Sequence, residues 1–455
     1  MKRLHFIAIG GSAMHSLAIE MQEIGNIVTG SDDVIFEPSK SKLQAVGLLP
    51  KKLGWFPEKL NENIDVVVLG MHAKKENPEL KYAQKMNLKI QSYPEFLTLF
   101  AKNKTRVVIA GSHGKTTITS MILHALKYHV IETDYMVGAP ASKNSKTLSM
   151  GAENDFFLLE GDEYLSSVTD PQPKFLWYTP EIALISGIAW DHINVFPTFE
   201  NYILQFEKFI YSIQDGGVLI YNEDDEILKK LVESSQHPIK KIGYSLPDHF
   251  IDGEQTYLKT EEGSLPLLVF GSHNLRNLAG AQWIAQLMGL DRSDFYEAMP
   301  SFTGALNRLE LYSKGINNFL FKDFAHSPSK VLATTKALKK QFQDRKLIAV
   351  LELHTFSSLN KNFINQYKDT LKSADLAVLF YDPNAVLKKG LIEIDHQKIK
   401  NAFNDNDLKV FSKTDQLKKF LLEQSYANSN LLFMSSGNYA SLDLNFLINE
   451  ISIGE

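Results

Sequence analysis

The stretch Gly111-Ser112-His113-Gly114-Lys115-Thr116-Thr117 decides the fold of this chain. It follows an apolar run, Arg106–Ala110, that is typical of a buried strand, and it precedes a helical pattern over Ile118–Leu126. Glycines allow backbone N–H groups to close around phosphate oxygens, and the N-terminus of the following helix adds a favourable dipole. We therefore predict an α/β protein with a strand–loop–helix unit that binds nucleotide phosphates.

Two side chains of this loop have the chemistry that a nucleoside triphosphate requires. Lys115 would reach the β- and γ-phosphates, and the hydroxyl of Thr116 would be a ligand of Mg²⁺. The usual pattern has a glycine five positions before Gly114, where this chain has Ile109. A strand–helix turn with a solvated lysine is the alternative explanation, but the strand–loop–helix setting favours phosphate binding. The predicted nucleotide loop consists of Gly111, Ser112, His113, Gly114, Lys115, Thr116 and Thr117.

Apolar runs of strand length alternate with helical patterns along most of the chain, which is typical of parallel sheets. The polar stretch Lys102-Asn103-Lys104 indicates a first boundary, and a second boundary lies near Phe302-Thr303-Gly304. Because 455 residues are too many for one hydrophobic core, we predict three α/β domains, at 1–102, 103–301 and 302–455. The predicted strands are Leu4–Ile9, Asn26–Thr29, Asp65–Leu69, Leu88–Gln91, Arg106–Ala110, Phe156–Leu159, Ile182–Ser186, Val218–Tyr221, Phe319–Phe321, Leu347–Leu351, Leu376–Phe380 and Leu431–Met434, and the predicted loops are Ser142–Ser149 and Glu261–Ser264.

Composition and charge exclude several classes of protein. Charged residues make up 22% of the chain and hydrophobic residues 44%, as in ordinary globular enzymes. The net charge of −5 and the lack of a basic stripe disfavour a nucleic-acid partner. With 0 cysteines, disulfides, cysteine-ligated metals and thiol nucleophiles are excluded. The apolar run Leu4–Ile9 is short and contains His5, and no run approaches the ~18 residues of a membrane span, so we expect neither a signal peptide nor a membrane partner.

Polar residues follow two further predicted strands of the second domain. Glu160-Gly161-Asp162-Glu163 comes directly after one strand, and Asp191-His192 comes shortly after the next. Ligands of α/β sheets bind where strands end, and Mg²⁺ prefers carboxylate oxygens. Alone, the acidic cluster is more often a solvated turn and the histidine more often structural. Because both lie in the same predicted domain as Lys115, we predict a magnesium–nucleotide site there.

The first predicted strand ends in a glycine-rich turn, Ile9-Gly10-Gly11-Ser12-Ala13-Met14, and the second leads into Thr29-Gly30-Ser31-Asp32. A glycine-rich turn at a helix start, with an acidic residue after the second strand, is typical of dinucleotide sites. Alone, this pair would equally suggest an NAD-dependent dehydrogenase. That alternative leaves Lys115 and Glu163 without a role.

These segments, taken in order, resemble the Mur ligase family of bacterial cell-wall synthesis over nearly the whole chain. The short phosphate loop of that family has the form Gly-x-x-Gly-Lys-Thr-Thr, which accounts for Ile109. Gly271–Asn277 resembles the adenine-binding stretch, Arg308-Leu309-Glu310 resembles the arginine motif, and Asp323–Pro328 resembles a nucleotide- and substrate-contacting loop. The resemblance implies an N-terminal Rossmann-like uridine-nucleotide domain, a central P-loop ATPase-like domain and a C-terminal Rossmann-like domain.

The resemblance also implies roles for individual residues. Contacts to ATP, beyond the nucleotide loop, would come from Asn274, Asn277, Arg308 and Asp323. Ligands of Mg²⁺ would be Thr116, Glu163 and His192. The UDP-sugar would be bound by Gly10, Gly11, Ser12, Met14, Ser31, Asp32, His72 and Ala73. Catalysis would depend on Lys115, His192, Arg308 and His326, with His326 and His192 as the two candidates for the general base and His192 preferred as a metal ligand.

The implied reaction is a cytoplasmic, ATP-dependent and ADP-forming ligation of a carboxylate to an amine. ATP would convert the carboxylate of UDP-N-acetylmuramate to an acyl phosphate, which an amine would then attack. The amine is either L-alanine or the peptide L-alanyl-γ-D-glutamyl-meso-diaminopimelate. Val28–Asp32, Pro38-Ser39 and Leu159–Tyr164 favour the peptide, whereas Leu351–His354 with Phe356-Ser357 resembles the alanine-adding members.

Several positions depart from the pattern of the family. Gly187 and Ala189 replace polar residues of many relatives, and a non-catalytic nucleotide sensor would explain both changes. Asn307 stands where a paired arginine is common. Lys322 replaces a second aspartate, and Ser327 replaces a second histidine. These changes concern the substrate more than the ATP chemistry.

Overall fold

A computed structural model describes residues 1–71, 73–139, 145–151, 153–315 and 318–453 of the chain. The described residues form four sheets, and three of these sheets are largely parallel, with helices between their strands. The predicted α/β fold of three domains is therefore confirmed. His72, one of the predicted UDP-sugar residues, lies outside the described residues.

The first sheet contains four parallel strands, with residues that are mostly buried. Its strands are β1 Arg3–Ile7, β2 Ile27–Ser31, β3 Val66–Leu69 and β4 Ile90–Ser92. Its helices are α1 Ser12–Glu23, α2 Ser39–Ala45, α3 Pro78–Lys85 and α4 Tyr93–Phe100. The strand order is β2-β1-β3-β4. The central strand β1 therefore delivers the glycine-rich turn to the carboxyl end of the sheet.

The second sheet carries the predicted nucleotide loop. Its strands are β5 Thr105–Ala110, β6 Asp134–Met136, β7 Leu148–Ser149, β8 Phe156–Glu160, β9 Ile182–Ile185, β10 Val218–Asn222 and β11 Lys240–Tyr244. Its helices are α5 Lys115–Tyr128, α6 Phe199–Ser212 and α7 Glu226–Ser234. The order is β11-β10-β9-β5-β8-β6-β7, and only β7 runs antiparallel to its neighbour. The nucleotide loop thus follows the middle strand, and β7 lies within a stretch that was predicted as a loop.

A third sheet is antiparallel and was not predicted. Its strands are β12 His249–Asp252, β13 Gln255–Thr260 and β14 Gly263–Leu267. The predicted loop Glu261–Ser264 is the tight turn between β13 and β14, and its last two residues already belong to β14. Two helices follow, α8 Ser272–Leu287 and α9 Arg292–Ala298.

The fourth sheet forms the core of the C-terminal third. Its strands are β15 Glu310–Lys314, β16 Asn318–Asp323, β17 Lys346–Leu353, β18 Leu376–Tyr381, β19 Lys409–Phe411 and β20 Ser429–Met434. Its helices are α10 Pro328–Gln341, α11 Pro383–Lys388, α12 His396–Phe403, α13 Thr414–Leu422 and α14 Leu444–Ile453. The order is β15-β16-β20-β17-β18-β19, with β15 antiparallel and the others parallel. The carboxyl ends of β16, β17 and β20 therefore meet at one edge, where ligands of such sheets bind.

The chain divides into two compact units. The first comprises residues 1–188, 203–244 and 280–295, and the second comprises residues 189–202, 245–279 and 296–455. The predicted boundaries after residues 102 and 301 stay predictions. None of the helices in the described part of the chain has the length and apolar character needed to cross a bilayer.

Candidate active site

The nucleotide loop connects β5 to α5 and depends on two glycines. Gly111 has φ of 121° and Gly114 has φ of 76°, which are backbone conformations that glycine adopts without strain. A Cβ atom on Gly111 would overlap the Ser186 hydroxyl and lie 2.8 Å from the Ser186 nitrogen. The N–H of Ser112 donates to the Gly187 carbonyl at 3.0 Å, which ties the loop to the end of β9. The predicted strand–loop–helix unit is confirmed.

Lys115 forms an ion pair inside the loop. Its Nζ lies 2.6 Å from Glu163 Oε2 and also donates to the Gly111 carbonyl. Glu163 is only 2% exposed, so this carboxylate depends on Lys115 for its charge balance. Burial alone would lower the pKa of Lys115, but the negative charges of Glu163 and Asp162 outweigh it and raise the pKa. Lys115 is therefore fully charged and already directed into the loop.

Thr116 contacts a different carboxylate, that of Glu160. The Thr116 hydroxyl donates to Glu160 Oε2 at 3.0 Å, and the N–H of Gly138 donates to Glu160 Oε1 at 2.8 Å. Glu160 was part of the predicted acidic cluster but not of the predicted metal ligands. Its signal in the sequence was its place at the last position of a buried strand, which sets it beside the first turn of α5. Thr116 and Glu160 thus present two neighbouring oxygen ligands.

The remaining carboxylate of the cluster, Asp162, pairs with Lys174. Its Oδ2 lies 2.6 Å from Lys174 Nζ. Burial would raise the pKa of Asp162, but the charges of Lys174 and Lys115 outweigh it and hold the pKa well below its usual range. Glu160, Asp162 and Glu163 therefore have three different partners, although they are nearly adjacent in sequence.

Two of the oxygens beside the nucleotide loop suit Mg²⁺. Within the described ranges, no group of three His, Asp or Glu side chains is placed to hold a metal ion. Mg²⁺ usually binds through one or two protein oxygens and completes its shell with water and phosphate oxygens. The hydroxyl of Thr116 and the carboxylate of Glu160, 3.0 Å apart, fit that requirement.

The predicted Asp-His motif lies in the second compact unit. His192 has φ of 54°, an uncommon value for a non-glycine residue, and its N–H donates to Asp191 Oδ1 at 2.7 Å. The Nζ of Lys330 is 4.0 Å from Asp191 Oδ2. Burial would raise the pKa of Asp191, but the nearby positive charge of Lys330, the largest of the opposing effects, helps to lower it to about 2. Asp191 is therefore ionised and is a weak base.

His326 is buried beside this group. Its Nδ1 donates to the Phe324 carbonyl at 2.7 Å, and the hydroxyl of Tyr367 donates to the His326 carbonyl. Burial, together with the positive charge of Lys330, lowers the pKa of His326 to about 3. The imidazole is therefore neutral at pH 7, with Nε2 as its acceptor atom and with little basicity of its own.

Asn274 and Arg308 line one cavity of about 390 Å³ in the second unit. Asn274 Nδ2 donates to the Phe270 carbonyl at 3.0 Å, and the guanidinium of Arg308 lies 4.6 Å from the centre of the Phe324 ring. Asn277 follows one turn later on α8 and is buried. The fold therefore brings together residues of two separate sequence motifs.

Asp323 ends β16, and both of its oxygens accept hydrogen bonds. Oδ2 accepts from the Thr334 hydroxyl at 2.6 Å, and Oδ1 accepts from the Ala325 N–H at 3.2 Å. These contacts fix the loop that contains His326. They also leave Asp323 as an acceptor group at the strand end, where a ligand could contact it.

The glycine-rich turn of the first domain is linked to Asp32. The N–H of Gly10 donates to Asp32 Oδ2 at 2.8 Å, and a Cβ atom at residue 10 would lie 2.9 Å from the same oxygen. Burial raises the pKa of Asp32, although the Gly10 N–H stabilises the carboxylate. Gly11 precedes the first residue of α1, Ser12, and Met14 is buried in that helix.

Ser31 has a neighbour that the sequence did not indicate. Lys59 Nζ donates to the Ser31 hydroxyl at 2.9 Å and to the Gly30 carbonyl at 3.0 Å. Ala73, which follows β3, is buried. Lys59 places a positive charge beside the predicted UDP-sugar residues, and only the tertiary fold reveals it.

The glycine at position 187, which departs from the family pattern, is explained by the local backbone conformation. Its φ is 151°, and a Cβ atom there would lie 3.0 Å from Asp225 Oδ2. The same Asp225 oxygen accepts the N–H of Ile188 at 2.7 Å, and its Oδ1 caps α7. Glycine at 187 is therefore a requirement of this backbone rather than a sign of a degraded site.

A glycine-containing loop on a largely parallel sheet, a fixed lysine and two neighbouring oxygens are the geometry expected of an ATP-dependent enzyme. The family model for the Mur ligase middle domain matches residues 109–285, and that for the Mur ligase family catalytic domain matches residues 3–105. The UDP-N-acetylmuramate–L-alanine ligase of Caldicellulosiruptor bescii is 30% identical over 412 residues, which cover 88% of each chain. The chain belongs to the Mur ligase family and is an ATP-dependent amide ligase.

Two solved structures have the same fold. The UDP-N-acetylmuramate–alanine ligase of Thermotoga maritima aligns with a TM-score of 0.73 at 19% identity and covers 100% of both chains. The murein peptide ligase of Psychrobacter arcticus aligns with a TM-score of 0.68 at 23% identity and covers 99% of both chains. At these identities the likeness concerns the fold alone, so it does not choose between the two amines.

Proposed function

We propose that this ligase joins the carboxylate of UDP-N-acetylmuramate to the amine of L-alanyl-γ-D-glutamyl-meso-diaminopimelate, with ATP and Mg²⁺. The observation that carries the proposal is the arrangement of Lys115 and Thr116, which contact two different carboxylates at one nucleotide loop. The name of one relative, a UDP-N-acetylmuramate–L-alanine ligase, supports the sugar nucleotide. An acyl phosphate would supply the leaving group that a free carboxylate lacks.

Lys115 is proposed to bind the phosphoryl group that is transferred. A positive charge that is fixed in advance stabilises the negative charge that develops on a phosphoryl group, and it needs no rearrangement at the moment of reaction. The raised pKa keeps Lys115 charged over the whole working pH range. Gly111, Ser112, His113, Gly114, Thr116 and Thr117 complete the proposed phosphate site, and Asn274, Asn277, Arg308 and Asp323 complete the proposed ATP site.

Thr116 and Glu160 are proposed to hold Mg²⁺. Glu163 and His192 are the other proposed ligands, and Glu163 can serve only after Lys115 has left it. When bound, Mg²⁺ would offset the charge of the phosphates. Glu160 is held by the Gly138 N–H, so its second oxygen keeps its direction towards Thr116 in the absence of metal.

His326 remains the proposed acceptor of the amine proton, provided that a bound substrate raises the pKa of its imidazole. A pKa of about 3 makes it a weak base as it stands. An anionic substrate beside the ring would favour the protonated form and raise the pKa. The hydrogen bond from Nδ1 to the Phe324 carbonyl leaves Nε2 as the atom that would take the proton.

The first domain, 1–102, is proposed to bind the uridine nucleotide, and the domains 103–301 and 302–455 are proposed to carry ATP binding and the amine site. The proposed UDP-sugar residues are Gly10, Gly11, Ser12, Met14, Ser31, Asp32, His72 and Ala73. Lys59 is added to this set because it contacts Ser31 and supplies a cation for an anionic sugar nucleotide.

A direct comparison of amines tests the proposal. The full chain is incubated with ATP, Mg²⁺ and UDP-N-acetylmuramate, and with the tripeptide or L-alanine at equal concentration. We expect ADP release in step with ligated product, and a kcat/KM for the tripeptide well above that for L-alanine. A preference for L-alanine would assign the alanine-adding reaction instead. Absence of ATP turnover with either amine would reject the ligase substrates proposed here.

A further inference from the structure

A second cavity lies at the edge of the fourth sheet where β16 and β20 end. Its volume is about 430 Å³, and its polar lining includes Tyr312, Lys322, Ser435, Asn438 and Asp443. All of its lining residues belong to the second compact unit. Ligand pockets of proteins range from roughly 300 to 1,000 Å³, so this one has room for more than a single small amino acid.

Lys322 is the cation of this cavity. Its Nζ lies 3.3 Å from the centre of the Tyr312 ring, and the Tyr312 hydroxyl donates to Asn445 Oδ1, which fixes the ring. Glu310, opposite Lys322 in the strand register, instead accepts the Asn307 N–H at 2.9 Å. In the described part of the chain, Lys322 has no carboxylate partner. A half-buried ammonium held by an aromatic face is therefore ready for an anionic ligand.

The facing wall is the loop 435–441, which is attached to a buried carboxylate. Glu352, at 1% exposure, accepts hydrogen bonds from the Ser435 hydroxyl and, at 2.9 Å, from the Tyr439 N–H. The N–H of Gly437 donates to the Ser435 hydroxyl at 2.7 Å. Three successive residues, 439 to 441, have φ of 53°, 52° and 68°. The wall is therefore a fixed surface, and Glu352 positions it from beneath.

The charges of the lining favour one kind of ligand. Lys322 contributes one positive charge, and Asp443 and Asp323 contribute negative charges. A phosphate-like polyanion bound beside Asp443 would be repelled by its carboxylate. A ligand end with both a carboxylate and an ammonium group would find a partner of each sign. Asp443 can serve as the anion because only its Oδ1 is used by a described hydrogen bond, from the Phe446 N–H at 3.0 Å.

We propose that this cavity is a subsite for the amino-acid end of the peptide substrate that is distant from the reacting amine, and that Lys322 binds its carboxylate. The proposal rests on the proposed function. An aspartate at this position would repel the same carboxylate. Lys322 is thus a specificity-determining residue of this chain, and L-alanine has no distal carboxylate with which to engage it.

Substitution of Lys322 provides the test. Lys322→Met keeps an unbranched side chain of nearly the same length and removes the charge, whereas Lys322→Arg keeps the charge. We expect Lys322→Met to raise the KM for the tripeptide roughly tenfold, because the loss of one charge-assisted hydrogen bond weakens binding by about that factor. The kcat should stay within about twofold of the wild-type value. The KM for L-alanine should not change. Lys418→Met is the matched control, because Lys418 also lies over an aromatic ring, that of Phe446, but does not line the cavity.

Two further measurements keep this inference separate from the proposed function. A tripeptide whose distal carboxylates are amidated should bind the wild type as weakly as the unmodified tripeptide binds Lys322→Met, with no further loss in the variant. Calorimetric titration of the tripeptide into the full chain reports binding without turnover. An unchanged tripeptide KM and affinity in Lys322→Met, with normal ligation by the wild type, would overturn the subsite alone. A wild type that ligates neither amine would overturn the proposed function, while loss of calorimetric binding in Lys322→Met would still support the subsite.

Discussion

Glu163 neutralises Lys115 at 2.6 Å, so the lysine assigned to the phosphates already has a carboxylate partner. In the proposed role of Lys115, phosphate oxygens would compete with Glu163 for the ammonium group when a nucleotide binds. An exchange of partners would need little charge separation, because one anion would replace another. It would also release the Glu163 carboxylate at the time when a cation bound to the nucleotide arrives. The pair thus connects the two proposed roles, phosphate binding and metal binding, in a single step.

Lys115→Ala should lower turnover by about a hundredfold or more, the loss seen when a preorganised charge facing developing anionic charge is removed. The variant should also be less stable, because the buried carboxylate of Glu163 loses its ion pair with Lys115. Removal of one partner of a buried pair costs roughly 3–5 kcal/mol. The double variant Lys115→Ala, Glu163→Gln should regain much of the stability and none of the activity. Thermal unfolding and ADP release measure the two effects, and near-normal turnover in Lys115→Ala would contradict the assignment.

Glu160→Gln should raise the Mg²⁺ concentration that gives half-maximal activity by roughly tenfold, because an ionised ligand of the metal becomes neutral. Excess Mg²⁺ should restore part of the rate. His192→Ala and Glu163→Gln should shift the same curve if those residues also bind the metal. Titrations of activity with Mg²⁺ at saturating ATP distinguish the contributions of Glu160, Glu163 and His192. A Glu160→Gln variant with an unchanged Mg²⁺ curve would leave Glu160 with a structural role only.

Gly111→Ala should destabilise the chain more than a simple change of backbone preference would. Its Cβ would meet Ser186, whereas a Cβ at Gly25, which also has positive φ, would meet nothing within 4 Å. Gly25→Ala should therefore cost only the strain of the left-handed backbone, about 1 kcal/mol. Ser186→Gly should rescue part of the loss in Gly111→Ala. Equal costs at the two glycines, measured by urea unfolding, would contradict the close approach.

Asp32→Ala should weaken the binding of UDP-N-acetylmuramate by roughly tenfold, because the Gly10 N–H loses its partner and the turn loses its fixed shape. The experiment is a calorimetric titration of the full chain without ATP. NAD should not bind, since the nucleotide loop is separate from this turn. Binding of NAD with no response to UDP-N-acetylmuramate would instead favour the dehydrogenase alternative.

His326 should make stability depend on pH below neutrality. Its folded pKa of about 3 lies below the ordinary value of 6.5, so the unfolded chain binds more protons between these values. Stability therefore rises with pH through this window and falls as pH decreases from 6.5 towards 3. Between pH 6.5 and pH 5 the loss is about 2 kcal/mol. Urea unfolding of the wild type and of His326→Asn at both pH values gives the free energy of unfolding, which should change less with pH in the variant. An equal change in both proteins would reject the pKa shift.

The strands around the nucleotide loop could be predicted because they are continuous apolar runs between glycine-rich turns. The antiparallel strands β12 to β14 could not, since their residues are largely half-exposed and Gly263 indicated only a turn. The resemblance named Glu163 as the metal ligand, but the sequence did not show that Glu160 is the carboxylate that contacts Thr116. The position of Glu160 follows from the pairing of β6 with β8, which places Met136 opposite Leu159 and so brings Gly138 beside Glu160. Lys59 belongs to no motif, and Lys322 stands out in the sequence only as a departure from the family pattern. The contacts through which both lysines matter are distant in sequence.

The backbone strain in the loop 435–441 lowers the stability of the folded protein. Left-handed backbone costs L-residues about 1–2 kcal/mol each, and Tyr439, Ala440 and Ser441 adopt it in succession. This strain and the loss of loop entropy both arise when the chain folds, because Glu352 and the Tyr439 hydroxyl already hold the loop in place in the folded protein. A ligand that arrives later does not have to order the loop again. The stability of the free protein is therefore lower than its packing alone would allow, and the affinity for a ligand of the proposed subsite would be correspondingly higher.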